Sequence, residues 1–523
     1  MATEPEGLVR VRRALLSVSD FRGLVPFART LAGLDIEIVA TEGTRRRLTT
    51  EGIPTRPAEE LTGIGSWFGG RLKTLHPGIL GGILSPRTPE GDRELAERHL
   101  LPIDLVAVNF YPFEHRVGPN AGAPDLAEHI DIGGVTLARA AAKNFEAVVV
   151  ASDPEDYPLL TEELTRHRGA STGPIRRALA ARAFARTERY DRIIGRTLAA
   201  SSGPEGGPFP PTLEWSRSEL VLRYGENPHQ KAAAYVPLSS TESPFDSQPL
   251  EVLQGAGLSY TNLLDLDTAL ATVAEFDEPA AAVVKHATPS GVASAPTLRI
   301  ALEQAVATDP VARYGCAIAV NRPVDAGDLE PLHGIFVDLL LAPDVTEAGR
   351  RAAGRRTKLK LVRAAVPDFH APAWEAKSAL GRLLVQESDR RLLRPEDLRC
   401  VTQQAATAQE LDALAFAWRV VRHAKSNAIV LAQQHQTVGI GSGQPTRVKA
   451  VELAVEVAGP RAHGSVLASD AFFPFADGDE VAARAGVRAI IQPGGSLRDP
   501  EVIATADRAG MAMYFTGWRV FRH

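Results

Sequence analysis

The 523-residue chain has only two cysteines, Cys316 and Cys400. Two thiols can build neither a disulfide framework nor a multi-cysteine zinc site, and they suit a reducing compartment. No apolar run approaches the ~18 residues that a membrane helix requires. The opening "MATEPEGLVRVRRALLSV" is acidic and then basic, without an apolar core segment and cleavage site. No secretory signal is therefore expected, and a cytoplasmic location is. The net charge of −5 gives no reason to expect nucleic acid or membrane as a partner. Heptads, short repeats and low-complexity tracts are missing too. Hydrophobic residues at 44% and charged residues at 23% are those of a soluble globular protein. The length suits roughly two to four domains.

Along the chain, short apolar runs alternate with helical patterns. "RALLSVSD" (13–20), "DIEIVAT" (35–41), "IDLVAVNFYPF" (103–113) and "EAVVVASDP" (146–154) read as strands. "RGLVPFARTLAGL" (22–34) and the long stretch 173–199 read as helices. This alternation predicts a parallel sheet with helices on its faces. Gly, Pro and Ser cluster in "ASSGPEGGPFPPTLEWS", so 201–216 is expected to be a linker between residues 1–200 and 217–523. Strand and helix signals resume beyond it, with a second break near 365–380.

One stretch of the second part, "AAVVKHATPSGVA" (281–293), runs from an apolar strand into Lys285 and His286 and then a Pro/Gly turn. Such a pair is usually a solvated strand edge, its side chains alternating between faces. A functional reading is also open: a neighbouring cation disfavours imidazolium and leaves a base near neutral pH. Open α/β sheets also place their sites at strand ends. In the first part, polar groups gather at "GGRLKTLHPGILGGIL" (69–84), "NFYPF" (109–113), "IDIGGVTLARAAAKNF" (130–145), and the pair "SVSD" (17–20) and "ATEGTRR" (40–46). The last pair is a plausible phosphate cradle through helix-start amides. Each of these alone also fits a helix cap, an exposed helix-end charge or a core aromatic.

Together, in order and spacing, these segments resemble the cyclohydrolase part of the bifunctional AICAR formyltransferase/IMP cyclohydrolase family of purine biosynthesis. "LRYGENPHQ" (222–230), "LSYTNLLDLD" (258–267), "VVKHATPSGVA" (283–293), "DPVARYG" (309–315), "KSNAIVLA" (425–432), "VGIGSGQPTRV" (438–448), "LASDAFFPF" (467–475), "IIQPGGSLRDPEVI" (490–503) and "FTGWRVFRH" (515–523) resemble its formyltransferase part. The resemblance implies an α/β fold: a methylglyoxal-synthase-like parallel-sheet domain, then two cytidine-deaminase-like subdomains. It also implies a homodimer acting on AICAR and formyl-AICAR, with 10-formyltetrahydrofolate as formyl donor and no metal in the chemistry.

By the same resemblance, His286 would be the base that activates the substrate amine, Lys285 its charge partner and Asn427 the group orienting the formyl oxygen. Arg223, Tyr224, Gly315, Asp338, Arg447, Phe472 and Arg519 would line the nucleotide pocket, and Asp477 and Ser496 would meet the folate. For ring closure the resemblance implies Lys143 as proton donor with Asp131 as its partner, and Tyr111 and Lys73 as orienting groups. Ser19, Thr41, Gly43, Thr44, Arg71, Thr74 and Asn109 would bind that substrate.

The chain departs from the family pattern in places. Phe21 stands where a phosphate-facing Lys is common, and Glu42 replaces a Gly. Leu80 and Phe145 replace histidines, Thr288 an Asn, Ser290 a Cys, and Gln403-Gln404 a basic pair. A carboxylate ~4 Å from a substrate phosphate would be repelled by about 4 kcal/mol at an effective dielectric of 20. Either Arg22, Arg45 or Arg46 offsets this, or Glu42 points to solvent. A zinc deaminase is excluded because no Cys-x-x-Cys exists. A Rossmann module is disfavoured because "GIGSGQ" lacks the third glycine. The alternative function is an active formyltransferase whose N-terminal domain is a degenerate regulatory phosphate-binding module.

Overall fold

The computed structural model describes residues 7–65, 67–68, 72–111, 113, 123–200, 209–210, 212–238, 245 and 249–523. Arg71 and most of the expected linker lie outside them. The chain divides into two compact units, 1–211 and 212–523.

In the first unit, β1 (Arg13–Ser17), β2 (Glu37–Ala40), β3 (Arg56–Pro57), β4 (Leu105–Val108) and β5 (Val149–Ala151) form one sheet in the order β3-β2-β1-β4-β5. All neighbours are parallel. Leu15, Val39, Val106 and Val149 are fully buried, as expected of strands covered on both faces. The helices used below are α1 (Leu24–Gly33), α2 (Glu42–Thr50), α3 (Pro77–Leu84), α4 (Gly133–Lys143), α5 (Asp156–Arg166) and α6 (Gly173–Ala200). The chain starts mid-sheet, builds outward through β2 and β3, then returns to lay β4 beside β1. Loops leaving β1 and β4 diverge there, and such a switch point is where open α/β sheets bind ligands.

The second unit is organised around one twelve-stranded sheet. Its first half contains β6 (Leu250–Gln254), α7 (Tyr260–Val273), the hairpin β7 (Ala280–Lys285) and β8 (Thr288–Ser294), α8 (Leu298–Ala307), β9 (Cys316–Val320), β10 (Val337–Ala342), α9 (Glu347–Gly354) and β11 (Lys360–Ala364). An edge strand, β12 (Arg399–Cys400), precedes the second half. That half contains α10 (Ala408–Val421), the hairpin β13 (Ile429–Gln433) and β14 (Gln436–Gly441), α11 (Arg447–Ala458), β15 (Val466–Ser469), α12 (Asp477–Arg484), β16 (Ala489–Gln492), α13 (Asp499–Ala509) and β17 (Ala512–Phe515). The sheet order is β6-β11-β10-β9-β7-β8-β14-β13-β15-β16-β17-β12. Each half thus repeats one plan, and the two second hairpin strands meet antiparallel at the centre. Between the halves, Trp374–Ala379 and Arg382–Glu387 form a separate hairpin.

Close helix packing on each hairpin depends on glycine. A Cβ on Gly291 would sit 2.1 Å from Ala305 O on α8, and one on Gly439 would sit 2.1 Å from Ala454 O on α11. Only a bare Cα lets those helices approach the strands.

Two sequence expectations change. Trp215 and Ser216, expected in the linker, belong to a strand pairing with Tyr235–Pro237. The turn after Lys285 is not made by Pro and Gly: Pro289 and Gly291 are inside β8. The turn residues are His286 and Ala287, both left-handed at φ +56° and +55°. Two positive φ angles make the tight hairpin turn that matches strand twist.

One core residue breaks the burial rule. Asp479 on α12 is fully buried, and neither carboxylate oxygen has a hydrogen-bond partner. Burial, helped by the nearby negative charge of Asp477, pushes its carboxyl up to about 8. The folded state therefore holds a proton that the unfolded chain releases near pH 4, so stability falls as pH rises from about 4 to about 8. Asp479→Asn removes this titration. Its melting temperature should match wild type near pH 4 and exceed it by several degrees at pH 8, a difference of a few kcal/mol. An offset independent of pH would contradict this reading.

Candidate functional site

Strand direction decides which loops of the second unit can meet. β9 runs antiparallel to β7, so Gly315 and Cys316 lie beside the end of β7 at Lys285. β10 and β11 run parallel to β9 and bring Asp338 and Lys360 to the same edge. Across the antiparallel seam, this edge receives the start of β13 and the ends of β14, β15, β16 and β17. Thr288 Oγ1 and Ser442 Oγ, 3.1 Å apart, join the halves there. Lys285, His286 and Asn427 are thereby gathered from both halves onto one edge. On the opposite edge the matching turn is Gln433-Gln434-His435, with no lysine.

His286 is exposed on its turn. Asp265 on α7 fixes that turn, its Oδ1 accepting Ala287 N at 2.6 Å. Burial pushes the Asp265 carboxyl up, partly opposed by the Ala287 amide and by the charge of His286. Lys285 Nζ donates to Tyr314 O at 3.0 Å, just before Gly315, which is left-handed at φ +72°. Asn427 Nδ2 donates to Gln444 O at 2.8 Å, and its Oδ1 accepts from Arg447 at 2.7 Å.

The expected pocket residues fall along this edge with different partners. Asp338 pairs with Lys360 at 2.6 Å and accepts Asn262 Nδ2 at 3.2 Å. Exposed Arg223 lies 5.3 Å over the Tyr224 ring, and exposed Arg519 lies 4.5 Å over Phe521. Phe472 is exposed. Asp477 opens α12 and accepts Gly478 N at 2.8 Å, while Ser496 Oγ accepts Arg498 N at 3.1 Å. Arg447, expected to line the nucleotide pocket, has its side chain 4% exposed and ion-paired with fully buried Asp470.

In the first unit a second arrangement occupies the switch point. Asn109, after β4, accepts Ser19 N at 2.6 Å, Ser19 Oγ at 2.9 Å and Asp20 N at 2.9 Å, tying the ends of β1 and β4 together. Thr44 Oγ1 accepts Val18 N at 3.0 Å, and Thr41 Oγ1 donates to Ser17 Oγ at 3.3 Å. Thr41 makes no side-chain cap on α2, so the amides around Gly43 face outward from a helix start. Glu42 points to solvent and pairs with Arg46 at 3.1 Å. Arg22 is held by Asp20 at 2.6 Å, whereas Arg45 Nε is buried without a hydrogen-bond partner.

Next to the tied strand ends, Asp131 accepts Gly134 N at 2.7 Å and Tyr111 N at 3.3 Å, and donates its own N–H to Tyr190 Oη at 2.8 Å. Burial raises its carboxyl pKa. A Cβ on Gly133 would lie 3.2 Å from Thr74 Oγ1, so buried Thr74 borders this start of α4. Exposed Lys73 precedes it. Lys143 does not join Asp131. It ends α4, about 15 Å along the axis from Gly133, so the expected proton relay between the two is not formed within one chain.

Residues 141–457 match the family model described as AICARFT/IMPCHase bienzyme, and residues 23–136 match an MGS-like domain. A Rhodospirillum rubrum protein named "Bifunctional purine biosynthesis protein PurH" is 46% identical over 98% of this chain and 99% of its own length. Same-named proteins from Anaeromyxobacter dehalogenans and Anoxybacillus flavithermus are 46% and 45% identical, each over 98% of this chain and all of theirs. The chain belongs to the AICARFT/IMPCHase bienzyme family. Within this bienzyme, the sequence-derived residues omit Lys360, Asp470 and Tyr190, each a partner of a residue they include, and Asp265, which holds the turn next to His286. Asp265 and Asp470 lie inside the quoted motifs "LSYTNLLDLD" and "LASDAFFPF", which was the available signal.

The Asp265 contact is directly testable. Asp265→Ala should raise amide hydrogen exchange at Ala287 about tenfold, the loss of one partly buried hydrogen bond. Asp265→Asn keeps an acceptor oxygen and should not. Equal exchange in both variants would deny Asp265 its hold on the turn.

Proposed function

We propose that the protein transfers a formyl group from 10-formyltetrahydrofolate to AICAR on the gathered edge of the second unit, and cyclises formyl-AICAR to IMP in the first. The observation that carries this is that Lys285 and His286 from one half share a sheet edge with Asn427 from the other. The 5-amino group of AICAR is a poor nucleophile because its lone pair is delocalised towards the carboxamide. His286 takes its proton as the nitrogen attacks the formyl carbon. Asn427 donates to the formyl oxygen as charge develops, and Lys285 stabilises that charge or protonates the departing folate nitrogen. Arg223 and Arg519 hold the phosphate, which suits paired guanidinium donors. Asp477 and Ser496 meet the folate, and Gly315, Asp338 and Phe472 border the nucleotide.

In the first unit the carboxamide nitrogen attacks the formyl carbon and water leaves. Ser19, Thr41, Gly43, Thr44 and Asn109 seat the phosphate. Tyr111, Asp131, Thr74 and Lys73 orient the reacting groups. Arg71 belongs to this set by the family pattern. Lys143 acts from outside the Asp131 cluster. The working form is a cytoplasmic homodimer.

Supplying AICAR and 10-formyltetrahydrofolate should yield IMP. His286→Ala and Lys285→Ala should each lower formyl transfer at least a hundredfold while cyclisation of supplied formyl-AICAR continues; loss of both activities in a folded variant would refute the division of labour.

Glu42→Gly should change the cyclisation KM less than about threefold, since an exposed pair contributes about 0–1 kcal/mol. Arg45→Ala should raise that KM about tenfold and Arg22→Ala should leave it. The reverse order would place the compensating cation at Arg22.

A further inference from the structure

The two halves of the second unit follow one plan, so each serves as a control for the other. β9 is followed by Asn321 and β15 by Asp470. In both halves the side-chain oxygen of that residue accepts the N–H of an alanine opening the hairpin. Asn321 Oδ1 accepts Ala280 N at 2.8 Å, and Asp470 Oδ1 accepts Ala428 N at 3.0 Å. The return bonds match as well, Asn321 N to Ala280 O and Asp470 N to Ala428 O, both 3.3 Å. The residue before the alanine is Pro279 in one half and Asn427 in the other. The residue opening the next helix, after Thr297 or Thr446, is Leu298 in one and Arg447 in the other.

In the first half this corner is closed without a buried ion pair. Asn321 Nδ2 donates to Phe276 O and Glu278 O, each at 2.8 Å, and Leu298 is buried. In the second half the same corner buries an ion pair, with Asp470 0% and Arg447 4% exposed at the side chain. Arg447 Nε is left buried without a partner. Removing two charges from water is costly and gives weak support to stability. The fold does not need the pair, since its other half does without it.

What the pair does is fix Asn427. Asp470 holds Arg447, and accepts Ser426 Oγ at 2.5 Å. Arg447 in turn caps Asn427 Oδ1, while Asn427 Nδ2 spends one hydrogen on Gln444 O. Arg447 and Gln444 thus set which way the amide faces, its oxygen turned to the guanidinium and one N–H left over to donate. We infer that Asp470 and Arg447 are positioning residues for formyl transfer, locking Asn427 as a hydrogen-bond donor towards the reacting acyl oxygen. Without them the amide can rotate and present its oxygen, which repels that charge. This inference rests on the proposed formyl transfer.

The test exchanges the pair for the first half's own residues, Arg447→Leu with Asp470→Asn. The double variant should melt at or above the wild-type temperature and cyclise supplied formyl-AICAR normally. Its kcat for formyl transfer should fall 30-fold to 100-fold, with the KM for AICAR changed less than threefold. In an Asn427→Ala background the exchange should add less than about threefold, because groups acting through one another are not additive. Arg447→Lys keeps the buried charge but not the two-pronged reach. It should show the same kcat loss if the double variant fails to fold. An unchanged kcat, a rise in KM alone, or full additivity with Asn427→Ala would overturn the inference. Absence of formyl transfer in the wild type would instead sink the functional reading on which it rests.

Discussion

The seam between β8 and β14 determines everything at the gathered edge. Only one residue pair, Ala293 with Gln436, is in ladder register there, so side chains carry the join. The buried Thr437 hydroxyl accepts Val292 N at 2.8 Å and lies 2.9 Å from the Thr308 hydroxyl, and Thr308 Oγ1 reaches Thr437 O at 2.8 Å. These groups lie away from water, where an unmet partner is expensive and a complete network fixes one arrangement. Because the seam is antiparallel, it brings the end of one hairpin beside the start of the other. Lys285 and Asn427 share an edge for this reason, although 142 positions separate them in the chain.

A doubled fold offers two equivalent edges, and only one is equipped. Lys285 and His286 face Gln433 and Gln434 as their counterparts; Asn427, Arg447 and Asp470 face Pro279, Leu298 and Asn321. The opposite corner keeps the hydrogen bonds that the backbone needs without the buried ion pair. On the proposed function, the chemistry is added to a backbone plan that the other half closes without these groups. The first unit works differently: there Asn109 both ties the two diverging strands and leaves the helix start at Gly43 open beside them.

Much of the fold was legible because buried strands read as apolar runs such as "AAAVV", "CAIAV" and "AIVLA". The turn at His286-Ala287 was not, since non-glycine residues with positive φ have no strong signature and Pro289 and Gly291 suggested a turn that is really a strand. The catalytic candidates were visible as motif residues. Their supports were not, because Asp470 reaches Ala428 across 42 positions and Asp265 reaches Ala287 across 22. Lys143 and Asp131 are separated within one chain because the motif that joins them in sequence is a helix, Gly133–Lys143.

The central claim is that one edge, built from both halves, receives the nucleotide. Hydrogen exchange with and without AICAR tests it most directly. The account predicts slowed exchange at 285–288 and at 426–428 together, with 433–436 on the opposite edge unchanged. Protection of 433–436, or of one half alone, would contradict it.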